Sequence, residues 1–79
     1  MTLLNSYILT YDCPLHGIKG NTAAFDITIQ ATEGMRIADA IFIALRNSLA
    51  EYLTEYLKQK VTLNKINLTM VALVNSIQL

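Results

Sequence analysis

Reactive side chains gather at one place in this 79-residue chain, where Asp12, Cys13, His16 and Lys19 lie close together. The spacing Cys13-x-x-His16 would offer a thiolate and an imidazole to one zinc ion. A closed structural zinc site takes four ligands, commonly cysteine or histidine, and the chain has one of each. A metal there would need a second copy or carboxylates to complete it. The same pair could be read as nucleophile and base, but such a pair must be held by packing and oriented by a third group. Here Pro14 and Gly17 flank it in what reads as a loop, a poor scaffold for fixed geometry. The expectation is a hairpin tip with an incidental cysteine, and neither a metal nor a catalytic role is assigned.

The remaining candidates are weaker. Gly17, Gly20 and Gly34 match neither a phosphate-binding loop nor a dinucleotide fingerprint. Glu51 and Glu55 stand one helical turn apart, as paired carboxylates for acid–base work would. They fall on a polar stripe with Thr54 and Lys58, where solvation is the simpler reading. Tyr7 and Tyr11 alternate on one strand face, and aromatic rings on a sheet can stack bases when basic residues accompany them. Here such residues are sparse, so the two rings are assigned to a protein interface, where tyrosine is enriched. Tyr52 and Tyr56 are expected at the core or its edge. No cofactor is implied.

Composition narrows the classes further. Six basic and six acidic side chains give zero formal net charge, without the basic patch that marks a nucleic-acid binder. The three lysines near residues 58–65 are offset by Glu51 and Glu55. A single cysteine excludes an intrachain disulfide framework. The start MTLLNSYILT lacks a signal peptide's basic region, and no run approaches the ~18–20 apolar residues of a membrane span. A cytosolic protein with no membrane partner is therefore expected, and Asn67-Leu68-Thr69 reads as a chance glycosylation pattern. The apolar fraction is 53% against 15% charged, while typical domains carry about 25% charged residues. There is more apolar material than one small monomer hides easily.

The elements that must carry these residues follow from periodicity. Leu3 to Asp12 alternates with a period of two and is rich in aromatic and β-branched side chains, which reads as a strand. Pro14 to Thr22 reads as a long loop. Phe25, Ile27, Ile29 and Ala31 then alternate with Asp26, Thr28 and Gln30 in a second, half-wet strand. Thr32-Glu33-Gly34 reads as a turn, and Met35 to Lys60 as a helix with Ala38, Ile41, Phe42, Leu45, Leu49, Tyr52, Leu53 and Tyr56 on one stripe. The tail from Val61 to Leu79 reads as one long strand, with a short hairpin at Asn75-Ser76 as the alternative. The fold expected over residues 1–79 is a single α+β domain of order ββαβ. It has a three-stranded, mostly antiparallel sheet, the first strand central, and one long helix on one face.

Two regions lack cover in that arrangement. The first half of the helix is apolar nearly all round, since Ile37, Ala40, Ile43 and Ala44 lie opposite the main stripe. Small Ala40 and Ala44 would let another backbone approach. On the last strand, Val71 and Leu73 should face away from the helix, and a long uncharged edge strand is an open pairing template. Ile37, Ala40, Ile43, Ala44, Val71, Leu73, Tyr7 and Tyr11 are thus the expected interface. In size and element order the chain resembles the compact proteins that phages and mobile elements use as stoichiometric inhibitors of host defence, anti-CRISPR proteins among them. That resemblance implies a viral or mobile-element inhibitor and carries no site residue. The reading is a non-enzymatic module that binds itself and another protein, inhibiting or scaffolding it. The alternatives are a small-ligand-binding oligomer, with inter-subunit pockets lined by Tyr7, Tyr11 and the 13–22 loop, and a single-stranded nucleic-acid binder.

Overall fold

The computed structural model describes residues 2–30 and 37–79, with the side chains of Ile37 and Ala38 outside that description. The expected turn at Thr32-Glu33-Gly34 and the expected helix start at Met35 also lie outside the described residues. Three strands and one helix follow in the order β1 (Thr2–Cys13), β2 (Ile18–Gln30), α1 (Ile37–Leu57) and β3 (Asn67–Gln78). β1 is central and antiparallel to both neighbours, giving the order β2-β1-β3. This is the α+β fold anticipated from periodicity, first strand in the middle.

The β1–β2 connection is far tighter than the expected loop. Pro14, whose ring fixes φ, starts a single 3-10 turn over Pro14–His16. Gly17 closes it at φ +70° and donates its N–H to the Pro14 carbonyl at 3.1 Å. β2 therefore begins at Ile18. Lys19, Gly20, Asn21 and Thr22 belong to the strand rather than to a loop. Gly20, at φ +65°, sits beside the register shift between Tyr11 and Cys13. Its N–H donates to Asp12 Oδ1 at 2.7 Å. What reads as loop composition is in fact the left-handed glycine of a strand irregularity.

At the other end α1 stops at Leu57 instead of running on to Lys60. Lys58 adopts φ +55° there, the left-handed conformation that ends a helix. Thr54 Oγ1 then accepts the Val61 N–H at 3.0 Å and folds the chain back. Twenty-one residues give a helix of about 31 Å. A second 3-10 turn, Leu63–Lys65, leads into β3, and Arg46 donates to the Leu63 carbonyl at 2.8 Å. β3 runs unbroken through Asn75 and Ser76, so the hairpin alternative does not form. Ser76 Oγ donates to Asn5 Oδ1 at 2.5 Å, and the Leu79 N–H to the Thr2 carbonyl at 2.9 Å.

The core lies between β1 and the helix. Tyr7, Leu9, Tyr11 and Cys13 of β1 meet Leu45, Leu49 and Leu53 of α1, with Val61 and Ile66 closing one end. Each fully buried leucine contributes about 1.5–3 kcal/mol of apolar transfer free energy. The helix does not sit squarely over the sheet. Its main backbone approach is to β2, where Phe25 meets Tyr52 edge to face with centroids 6.1 Å apart. Cover is therefore concentrated on the β2 side.

Candidate functional site

The β3 side is the part left open. Antiparallel pairing turns alternate backbone groups toward and away from a neighbour. Because the Leu79 N–H reaches the Thr2 carbonyl, even-numbered β1 residues aim their backbone groups at β3. Their partners Met70, Ala72, Asn75 and Ile77 aim back. The backbone N–H and C=O groups of Val71, Leu73, Ser76 and Gln78 consequently point outward, where among the described residues no strand receives them.

Side chains on β3 are displaced from strict alternation by two register shifts, at Ser6/Tyr7 and Thr10/Tyr11. The shifts leave Val74 and Thr69 without a direct β1 partner. Val71 is set opposite Leu9 and Leu73 opposite Tyr7. Paired residues share a face, so Val71 and Leu73 lie on the helix side of the sheet, not on the far side as strict alternation implied. They remain exposed, at 37% and 55%, because α1 does not extend over them. Met70, Val74 and Ile77 are exposed as well. From Asn67 to Gln78 the strand carries no charged residue, proline or glycine.

The other expected interface residues divide. Ile43 is 60% exposed, and Phe42, under the Arg46 guanidinium at 5.8 Å, is partly exposed. Ala40 and Ala44 do not stand on the open back of the helix. They are half-buried and, with Ile41, face Ile27–Gln30 of β2 across a hollow of about 230 Å³. Helix and edge strand already approach each other there. The side chain of Ile37 lies outside the described residues. Tyr7 and Tyr11 are core residues, 5% and 3% exposed, because the odd face of β1 is the one the helix covers. Asn5, buried beside them, donates to the Tyr7 hydroxyl at 2.8 Å. Tyr52 and Tyr56, expected at the core or its edge, are exposed instead and stack with centroids 6.0 Å apart.

Those two rings belong to a second feature that periodicity missed. Tyr52, Tyr56 and Leu57 line one wall of an open hollow of about 530 Å³, and Tyr11, Ile18 and Asn21 line the other. Burial holds the Tyr11 phenol above its ordinary range, aided by the neighbouring Tyr52, while a hydrogen bond with Asn21 opposes the shift. Sequence spacing could not have joined Asn21 to Tyr56; only the correct register of the hairpin does so. Cys13 is buried and free, and His16 lies in the 3-10 turn just beyond it. Among the described residues no cluster of three histidine, cysteine or acidic side chains is placed to hold a metal ion. No described helix is long and apolar enough to cross a membrane.

No family model, no curated protein and no solved structure matches the chain. The candidate site therefore rests on geometry alone: an uncharged edge strand with outward backbone groups and uncovered apolar side chains on both faces.

Proposed function

We propose that the protein is a non-enzymatic interaction module that associates with itself and occludes or scaffolds another protein. One observation carries the reading. β3 is a twelve-residue edge strand lacking every device that usually blunts such an edge except its bulges. Strands of this kind are completed by strand addition, in which backbone hydrogen bonds give affinity and alternate side chains give selectivity. Apolar side chains beside the edge add a desolvated centre, the usual anatomy of a protein interface. The element order and size fit the compact phage and mobile-element inhibitors of host defence noted above. A cytosolic setting suits the lone buried cysteine.

The test is pull-down of the intact chain from a phage-infected or mobile-element-bearing bacterial lysate, set against a Leu73→Lys substitution. Specific recovery of a partner by the wild type and its loss with Leu73→Lys support the reading. A wild-type chain that stays monomeric at high concentration and recovers no more than Leu73→Lys does contradicts it.

A second reading, a small-ligand binder, is favoured by the tyrosine-lined hollow. Its lining differs from the inter-subunit pocket expected from sequence, since Tyr7 is not part of it. An uncharged planar molecule would stack on Tyr56 and hydrogen-bond Asn21. A thermal-shift screen of nucleosides and aromatic metabolites distinguishes this reading, because a ligand well above its Kd raises Tm measurably. The sheet tyrosines on which the nucleic-acid reading drew, Tyr7 and Tyr11, are buried.

A further inference from the structure

We infer that the occupant of the β3 edge is the β3 strand of a second copy, paired antiparallel about a two-fold axis at Ala72. This inference rests on the interaction-module reading above and specifies its self-association. The register follows from the two bulges. They leave Met70–Leu73 as a regular stretch between the unpaired Thr69 and Val74. Within it only Val71 and Leu73 turn backbone groups outward. An antiparallel partner satisfies both when Val71 of each copy lies opposite Leu73 of the other, forming two hydrogen-bonded pairs. Ala72 then meets its own counterpart in the intervening non-hydrogen-bonded pair, where Cα atoms approach to about 4.5 Å. Its small side chain suits that close approach.

The same register keeps both helices on one side of a six-stranded sheet of order β2-β1-β3-β3-β1-β2. Val71 and Leu73 from each copy become adjacent in the strip between the helices, which is the part of the helix face that one chain leaves open. Charge permits it. At a two-fold contact each residue near the axis lies near its own counterpart, so any charge there would repel itself, and β3 carries none. The other edge is different. On β2 the outward-facing backbone groups of the regular stretch are those of the even residues Thr22 to Gln30, with the exposed Asp26 at their centre. Self-pairing about that centre would bring two Asp26 carboxylates together.

Exposure points the same way. Met70, Val71, Leu73, Val74 and Ile77 are all exposed large apolar side chains on one strand, and pairing across Ala72 withdraws the central ones from water.

The test uses light scattering after gel filtration on the full chain, with two kinds of variant. The wild type is expected at twice the chain mass, dissociating on dilution. Leu73→Lys, which alters an exposed side chain, is expected at the single-chain mass with an unchanged circular dichroism spectrum, its dimerisation at least tenfold weaker. Ala72→Cys is expected to form a disulfide-linked dimer under mild oxidation, and Thr28→Cys on the β2 edge is not. A dimer that survives Leu73→Lys and does not cross-link through residue 72 overturns this register while leaving the interaction-module reading standing. A wild type at single-chain mass at every concentration overturns both the register and self-association itself.

Discussion

The two edges of this sheet are built from strands of similar length and opposite character. β2 is tucked against α1, carries the charged residues Lys19 and Asp26, and starts from a glycine-punctuated turn. β3 has no charge, no described helix over Val71 and Leu73, and a row of exposed apolar side chains. One helix about 31 Å long cannot cover a three-stranded sheet evenly, and Tyr52 against Phe25 commits it to the β2 side. The lesson is that the helix divides one apolar face into a buried part and an exposed part. Residues of the same type on that face are packed or wet according to which side they occupy.

The largest expected effect tests that division directly. Leu49→Ala, beneath the helix, should destabilise the fold by about 3 kcal/mol through lost burial and the cavity left behind. Leu73→Ala should cost the monomer under about 1 kcal/mol, since more than half of that side chain is already exposed. Urea denaturation at low protein concentration reads both. Similar losses at the two leucines would break the comparison.

A smaller effect is expected where the chain leaves the covered half. Lys58 holds φ +55° without being glycine, a conformation that costs a side-chain-bearing residue about 1 kcal/mol. Lys58→Gly should therefore raise stability, by about 0.5 kcal/mol after the added flexibility of the unfolded chain is subtracted. A rise in Tm checks this; a fall would show that the lysine side chain contributes more than its backbone strain removes.

The smallest effect concerns the tyrosine-lined hollow. Burial raises the Tyr11 phenol in the folded chain, so the neutral form is favoured by folding. That stability is fully present below the unfolded tyrosine value of about 10 and is lost as pH rises through the higher folded value. Thermal melts of wild type and Tyr11→Phe between pH 9 and 11.5 should show a shallower alkaline loss with phenylalanine in place. Parallel curves would place the Tyr11 hydroxyl in water.

Much of this was legible in the residues. Period-two alternation marked β1 and the later part of β2, and the 3.6-residue stripe of Leu45, Leu49 and Leu53 marked both the helix and the core. Three things were not. Met70 to Val74 is an uninterrupted apolar run, so nothing in it reveals the two bulges that move Val71 and Leu73 to the helix side. A register slip of one residue exchanges the faces of a strand, and only polar alternation makes it visible. On β1, Tyr7 and Tyr11 alternate with Ile8 and Thr10, which are also strand-compatible. Only the position of the helix decides that the tyrosines are buried. Gly17, Gly20 and Asn21 looked like one loop because a left-handed glycine in a bulge and one in a turn have the same composition. The length of β3 and its lack of charge were readable directly.

Hydrogen exchange at single-amide resolution tests the central contrast most directly. At high protein concentration the outward amides of Val71 and Leu73 should be protected, and that protection should fade on dilution, while the outward amides of Thr28 and Asp26 exchange fast throughout. Fast exchange at Val71 and Leu73 at every concentration, matching the β2 edge, would contradict the distinction between a guarded edge and one that pairs.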